Sequence, residues 1–207
     1  DRTIIVDNIA ENFLLQKDNG IFITNNHVIA GHSNVALVFP TDEVGGKRSF
    51  ARVVKVDEIS DLALLALNEQ RSDIIPITFA EQEIEIGDDV HAIGHPLGQD
   101  WTYTRGYIGQ ILNNHEWLID GVNFKAKTII QSQTPIMGGN SGGPLLNDDG
   151  LIIGVNTYVA DYVAANYSVS VKDLKLFLDE KYTIPEAPAK TSATKSASKY
   201  WESNVIA

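Results

Sequence analysis

One serine, Ser141, stands between glycines in Gly139-Asn140-Ser141-Gly142-Gly143-Pro144, a loop in which backbone amides can converge beside a hydroxyl. Such a hydroxyl can serve as a nucleophile next to its own anion-binding amides, but only if a base takes its proton, because serine is inert at neutral pH. The glycines allow φ values that a Cβ would resist and let another backbone approach closely. Two residues elsewhere could complete the chemistry. His27 ends an apolar run, Ile21-Phe22-Ile23-Thr24, at a turn, which is a rim position able to face a cleft. Asp61 opens the apolar run Leu62-Ala63-Leu64-Leu65, so its carboxylate should be partly buried and in need of donors, and an imidazole Nδ1–H is a suitable one. Taken singly, each also reads as an ordinary structural histidine or ion pair. A phosphate-binding loop is disfavoured, since no Gly-Lys-Ser or Gly-Lys-Thr ending follows.

These residues must be held by strands. Short β-rich runs separated by turn signals fill most of the chain: Phe13 to Gln16, Ile21 to Thr24, Val35 to Phe39, Ala51 to Val56, Leu62 to Leu67 and Val90 to Ile93. The texture resumes with Tyr103 to Leu112, Lys127 to Gln133, Leu145-Leu146, Leu151 to Tyr158 and Tyr167 to Val171. Asp18-Asn19-Gly20 and Asn147-Asp148-Asp149-Gly150 read as turns. About a dozen strands in two sets implies barrels or a sandwich, hence an all-β class. Asn68 to Glu85 lacks an alternating pattern and reads as the crossover between halves. Ser170-Val171-Lys172-Asp173 looks like a capping box opening a helix to about Lys181, with Val171, Leu174 and Leu178 on one face.

The expected organisation is therefore a first barrel over about 1–68, a crossover over about 69–85, a second barrel over about 86–169 and a helix over about 171–181, together 1–182. Residues 183–207 are rich in Pro, Ala, Ser, Thr and Lys and read as a linker or tail. Their aromatic and aliphatic end, Tyr200 to Ala207, suggests a docked segment.

The 207 residues, 43% hydrophobic, suffice for a core, and no cysteine is present, which removes disulfides and thiol chemistry. A formal charge of −11 disfavours nucleic acid and anionic membranes as partners. No apolar run approaches the roughly 18 residues of a membrane span. The first residues, Asp1-Arg2-Thr3, carry no apolar signal core, so any export signal is expected to have been removed. His91 and His95 are four apart, but Gly94 and Pro96 preclude a helical metal site, so neither a metal nor a cofactor is expected. His32 and His115 lie in polar contexts that suggest solvent-facing loops.

Thr24-Asn25-Asn26-His27-Val28, Asp61-Leu62-Ala63-Leu64, Ala92-Ile93-Gly94-His95-Pro96-Leu97-Gly98 and Gly139-Asn140-Ser141-Gly142-Gly143-Pro144-Leu145 together resemble the HtrA/Deg branch of the chymotrypsin-like serine proteases, over about residues 13 to 180. The resemblance implies two six-stranded antiparallel β-barrels with a triad of His27, Asp61 and Ser141 between them. It further implies an oxyanion hole at Gly139, Asn140 and Ser141, built from the amides of Gly139 and Ser141, and a pocket lined by Pro135, Ile136, Met137, Thr157 and Tyr158. Pro135 offers no charge to a basic side chain, so the pocket should take a small or medium aliphatic P1 residue, unless Asp161 turns into it.

Thr157 resembles the hydroxyl residue that supports the triad aspartate, while an ordinary strand threonine is the alternative. Asn140 stands where trypsins have an aspartate that pairs with a new N-terminus, so activation by that ion pair is not expected. Thr134 to Gly138 becomes the place for a loop switch. The glycine-rich first strand of the family is replaced by Ala10-Glu11-Asn12-Phe13-Leu14, these 207 residues do not include the PDZ module usual in the family, whether the branch lacks it or it lies outside them, and no aromatic trimerisation segment is evident in Asp1 to Ala10. A homo-oligomer stays open. The implied function is endopeptidase action on unfolded or exposed polypeptide in protein quality control outside the cytoplasm, with Ser203-Asn204-Val205-Ile206-Ala207 able to occupy the cleft as a strand. A chaperone or peptide-binding protein on the same scaffold is the alternative. An esterase is disfavoured by the residue order.

Overall fold

A computed structural model of the chain describes residues 13–16, 20–29, 31–37, 39, 48–69, 71–94, 102–136, 138–160 and 165–179. Strands β1 (Phe13–Gln16), β2 (Ile21–Thr24), β3 (Asn34–Leu37), β4 (Ser49–Asp57) and β5 (Leu62–Leu67) form an antiparallel sheet in the order β1-β2-β5-β4-β3. A single helical turn, α1 (Asn26–Ile29), follows β2. Strands β6 (Asp89–Gly94), β7 (Thr102–Ile119), β8 (Val122–Ser132), β9 (Pro144–Leu146), β10 (Ile152–Ala160) and β11 (Ala165–Ser170) close a six-stranded barrel in the order β10-β11-β8-β7-β6-β9. Helix α2 (Val171–Asp179) ends the described chain. The two-unit all-β architecture matches the expectation, with five strands described in the first unit and six in the second.

Why β5 sits at the centre follows from its sequence. Leu62-Ala63-Leu64-Leu65-Ala66-Leu67 is buried at every position, and a strand sends alternate side chains to opposite faces. Leu62, Leu64 and Ala66 join a core with Ile21, Ile23, Trp117, Phe124, Ile129, Val155 and Leu174, drawn from both units. Ala63, Leu65 and Leu67 face the other way, into a core with Phe22, Val35 and Leu37. A third core, with Val90, Ile108, Ile130 and Leu145, fills the barrel. The shared layer makes one body of the two units, at about 1.5–3 kcal/mol for each fully buried Leu or Ile.

The crossover is fixed onto the second barrel, not left loose: Ala80 N–H donates to Ile152 O and Ile152 N–H to Thr78 O, each at 2.9 Å. The β7–β8 hairpin is longer than the sequence suggested. Polar Asn113 and Asn114 interrupt the apolar pattern after Leu112, yet pairing continues to Ile119↔Val122. The turn is Asp120-Gly121, with φ of 49° and 82°, the positive pair that a two-residue hairpin of this kind requires. The hairpin reaches the first unit, where Lys125 N–H donates to Ile59 O at 2.7 Å.

Helix α2 buries Val171, Leu174 and Phe177. The expected capping box forms only in part. Ser170 Oγ accepts Lys172 N–H at 3.2 Å, whereas Asp173 turns to β8 and accepts Lys127 N–H and Thr128 N–H, both at 2.9 Å. Burial raises the Asp173 carboxyl above its usual range, against those two amide bonds. Lys55 Nζ lies 4.4 Å from the Phe177 ring centroid and donates to Phe177 O, placing a cation at the carbonyl end of the helix.

Candidate active site

His27, Asp61 and Ser141 come from three separate segments, and the described contacts tie them together through Thr157. Asp61 precedes β5 and is fully buried. Its φ of 59° is unusual for a residue with a Cβ, a backbone state that persists only where the surroundings fix it. Those surroundings are the two asparagines before His27: Asn25 Nδ2 donates to Asp61 O at 2.9 Å and Asn26 N–H donates to the same oxygen at 3.2 Å. The turn α1 then carries His27 over the carboxylate. His27 N–H donates to Asp61 Oδ1 at 2.9 Å and the ring Nδ1 to Oδ2 at 2.7 Å. With Nδ1 protonated, Nε2 is the basic nitrogen.

Thr157 completes the carboxylate's shell, donating Oγ1–H to Asp61 Oδ2 at 2.6 Å. Of the two readings of Thr157, support of the aspartate or an ordinary strand position, that bond accords with the first. The main-chain carbonyl of the same residue accepts the Ser141 hydroxyl at 3.1 Å. One residue of β10 thus touches both the acid and the serine.

Around Ser141 the loop is shaped by positive φ at Gly139 (102°) and Gly142 (89°). Gly142 N–H is taken by Asn156 O at 2.8 Å and Gly143 N–H by Asn140 O at 3.2 Å. Among the described residues, no carbonyl is recorded accepting the amides of Gly139 or Ser141. Asn140 is buried.

The five residues expected to line a pocket divide. Pro135 is exposed. Ile136 packs into the barrel core with Val90, Ile108 and Leu145, so it can back a wall but does not form its open surface. Met137 and Asp161 lie outside the described residues. Thr157 lies at the bulge of β10 between Asn156 and Tyr158, and its hydroxyl is turned to Asp61. Tyr158, its neighbour, faces the other side and stacks on Tyr167 with centroids 4.4 Å apart and on Trp117 at 5.5 Å. His115 is corrected too: it is half-buried on β7, with Nε2 paired to Tyr158 OH at 2.7 Å, not on a solvent-facing loop. Its burial pushes the imidazole pKa down. His32 is half-buried, with Nδ1 on Ile29 O at 3.0 Å.

His91 bridges Tyr103 OH and Asp148, both at 2.7 Å, while His95 lies outside the described residues. Sequence reading missed the roles of Asn25, Asn156 and Ser168. Their signal was an amide or hydroxyl within a strand or just after one, which only the fold shows to be buried.

The trypsin-like peptidase domain family matches residues 13–155. The magnetosome formation protease MamE of Paramagnetospirillum magneticum is 32% identical over 189 residues, covering 89% of this chain and 25% of that protein. A probable periplasmic serine endoprotease, DegP-like, of Chlamydia trachomatis is 32% identical over 174 residues, covering 81% of this chain and 32% of that protein. The chain therefore spans about a quarter to a third of the length of these relatives. Among solved structures, the active form of the Rv3671c protease from M. tuberculosis superposes with a TM-score of 0.70 at 25% identity, covering 85% of this chain and 75% of that one.

Proposed function

The chain belongs to the trypsin-like peptidase family as an HtrA/Deg-like serine protease, and on that premise we propose that it hydrolyses peptide bonds with His27, Asp61 and Ser141 as its catalytic residues. The observation that carries the reading is the shared engagement at Thr157, which binds the buried carboxylate under His27 with its hydroxyl and receives the Ser141 hydroxyl on its carbonyl. Ser141 Oγ attacks the scissile carbonyl while His27 Nε2 takes its proton. The C–O bond forms as the carbonyl π pair moves to oxygen, and the amides of Gly139 and Ser141 bind that oxyanion. Collapse expels the amine, protonated by His27, and leaves an acyl-enzyme that water hydrolyses by the same steps in reverse. Asp61 holds the tautomer and offsets the imidazolium charge. Each oxyanion donor is worth about 10²- to 10³-fold in rate.

Because the Ser141 hydroxyl rests on Thr157 O, it rotates toward Nε2 before attack. The substrates are unfolded or exposed polypeptides, cut after small or medium aliphatic residues beside the uncharged Pro135. The work is protein quality control outside the cytoplasm, in keeping with the periplasmic designation of the Chlamydia relative. The segment after Asp179 lies outside the described residues. Its aliphatic end competes for the cleft, so removing residues 182–207 raises peptidase activity, and unchanged activity counts against that competition. The test of the whole reading is digestion of an unfolded protein by wild type and by Ser141→Ala, with every cut mapped by mass spectrometry. Cuts after Val or Ala that vanish in the variant support it, cuts chiefly after Lys or Arg overturn the pocket, and cuts that persist in the variant overturn the site.

A further inference from the structure

The loop bearing Ser141 leaves β8 at Ser132 and joins β9 at Pro144. Both of its ends are tied by buried carboxamides to one pair of strands. At the leading end, Asn166 of β11 donates Nδ2 to Thr134 O. At the trailing end, Asn156 of β10 donates Nδ2 to Pro144 O at 3.2 Å, and its Oδ1 accepts Ser168 Oγ–H at 2.9 Å. The Asn156 main chain adds two more ties, accepting Gly142 N–H at 2.8 Å and donating to Gly143 O at 2.9 Å. Asn156 and Ser168 are direct cross-strand partners, 1% and 0% exposed.

An apolar pair would fill the Asn156 and Ser168 positions without desolvating an amide and a hydroxyl; it removes both partners of the bond between them, an exchange that can be close to neutral, and takes the carboxamide donor only from Pro144 O. What the polar pair supplies is direction. Ser168 sets the carboxamide plane, and the plane aims Nδ2 at Pro144 O, two residues from Gly142 and three from Ser141. Catalytic groups must be held to within about 0.5 Å, and by supporting hydrogen bonds. Asn156 also immediately precedes Thr157, so the same anchor that fixes the loop fixes the residue contacting Asp61 and Ser141.

We propose that Asn156, oriented by Ser168, and Asn166 are positioning residues that hold the two ends of the nucleophile loop and so keep Ser141 and the Gly139 and Ser141 amides in register with His27. The inference rests on the peptidase reading above and adds to it the elements that set the loop's geometry. A purely structural pair would affect the melting temperature alone. A positioning pair affects turnover in molecules that are fully folded.

The experiment compares wild type, Asn156→Leu with Ser168→Ala, Ser168→Ala alone and Asn166→Leu, all against Ser141→Ala as the blank. It reads the rate of Ser141 labelling by a fluorophosphonate, kcat and KM on a peptide, and the melting temperature. The double variant is expected to fold with a modestly lowered melting temperature, from the donor lost at Pro144 O, while labelling rate and kcat per folded molecule fall about 10- to 100-fold with KM little changed, up to what one misplaced oxyanion donor costs. Asn166→Leu is expected to fall in the same direction. Wild-type labelling and kcat in a folded double variant overturn the inference, as does a lowered melting temperature with unchanged turnover per folded molecule. If the double variant does not fold, Ser168→Ala decides, since it touches no loop atom: several-fold slower labelling supports the inference and wild-type labelling overturns it. Absence of labelling in wild type overturns the peptidase reading itself, and this inference with it.

Discussion

Replacing Thr157 by Val exchanges one hydroxyl for a methyl at nearly constant volume, on a strand where both residues are favourable. The backbone carbonyl that receives Ser141 is retained, so the change isolates the Oγ1–H bond to Asp61 Oδ2 at 2.6 Å. Asp61 is fully buried and Thr157 is 2% exposed, so no water replaces the donor. The carboxylate keeps His27 N–H and Nδ1–H, two of its three side-chain hydrogen bonds. A hydrogen bond to a charged group contributes about 1.5–3 kcal/mol, and a domain of this size shifts by about 2–4 °C per kcal/mol. A fall of roughly 3–12 °C in melting temperature follows. Complete loss of the aspartate's role costs about 10⁴-fold in a related triad. One lost bond of three should cost about ten-fold in kcat, or ~1.4 kcal/mol. Urea and thermal unfolding with peptide kinetics on Thr157→Val and Thr157→Ser measure both, and Ser, which keeps the hydroxyl, should lie near wild type. Melting and kcat of Thr157→Val both equal to wild type would make Thr157 an ordinary strand residue with no part in holding Asp61.

Three further outcomes are expected. Gly139→Ala places a Cβ at a φ of 102°, a strain of about 1–3 kcal/mol, and should slow fluorophosphonate labelling more than it lowers the melting temperature. Gly106→Ala sets a Cβ 2.6 Å from Gln133 O and from Thr134 N and Cα, so it should push the leading end of the nucleophile loop and cost about 1–3 kcal/mol in urea unfolding. For His115, burial lowers the folded-state pKa below the ordinary 6.5, so the unfolded chain binds the proton first. Its contribution to stability is complete above that value and is lost as pH falls through it, with a slope of at most about 1.4 kcal/mol per pH unit. His115→Phe should flatten the acid side of the stability profile, and an unchanged slope would contradict the assignment.

Strands were readable from sequence where one face or both are buried. Leu62 to Leu67 and Ile21 to Thr24 match the observed bounds of β5 and β2 because apolar runs and turn residues agree there. The β7–β8 hairpin was read short because its outer part is exposed and polar, and its Asp120-Gly121 turn was the overlooked signal. The turn α1, only Asn26–Ile29, is too brief to have a periodicity. At the site, His27, Asp61 and Ser141 were suggested by residue type, order and motif. The pocket was less legible, since which way Thr157, Tyr158 and Ile136 point depends on the bulge between Asn156 and Tyr158 and on barrel closure. His115 looked solvated because its sequence neighbours are polar, and the aromatic rings that cover it, Tyr158 and Tyr167, come from β10 and β11.

On the proposed function, Ser141 is a nucleophile made reactive by His27. Exposure of the protein to a fluorophosphonate, followed by intact-mass measurement and peptide mapping, reads that reactivity at the residue. One adduct is expected, on Ser141, its formation lost in His27→Ala. No adduct on the folded wild type, or an adduct on Ser141 that forms equally fast in His27→Ala, would mean that His27 does not activate Ser141.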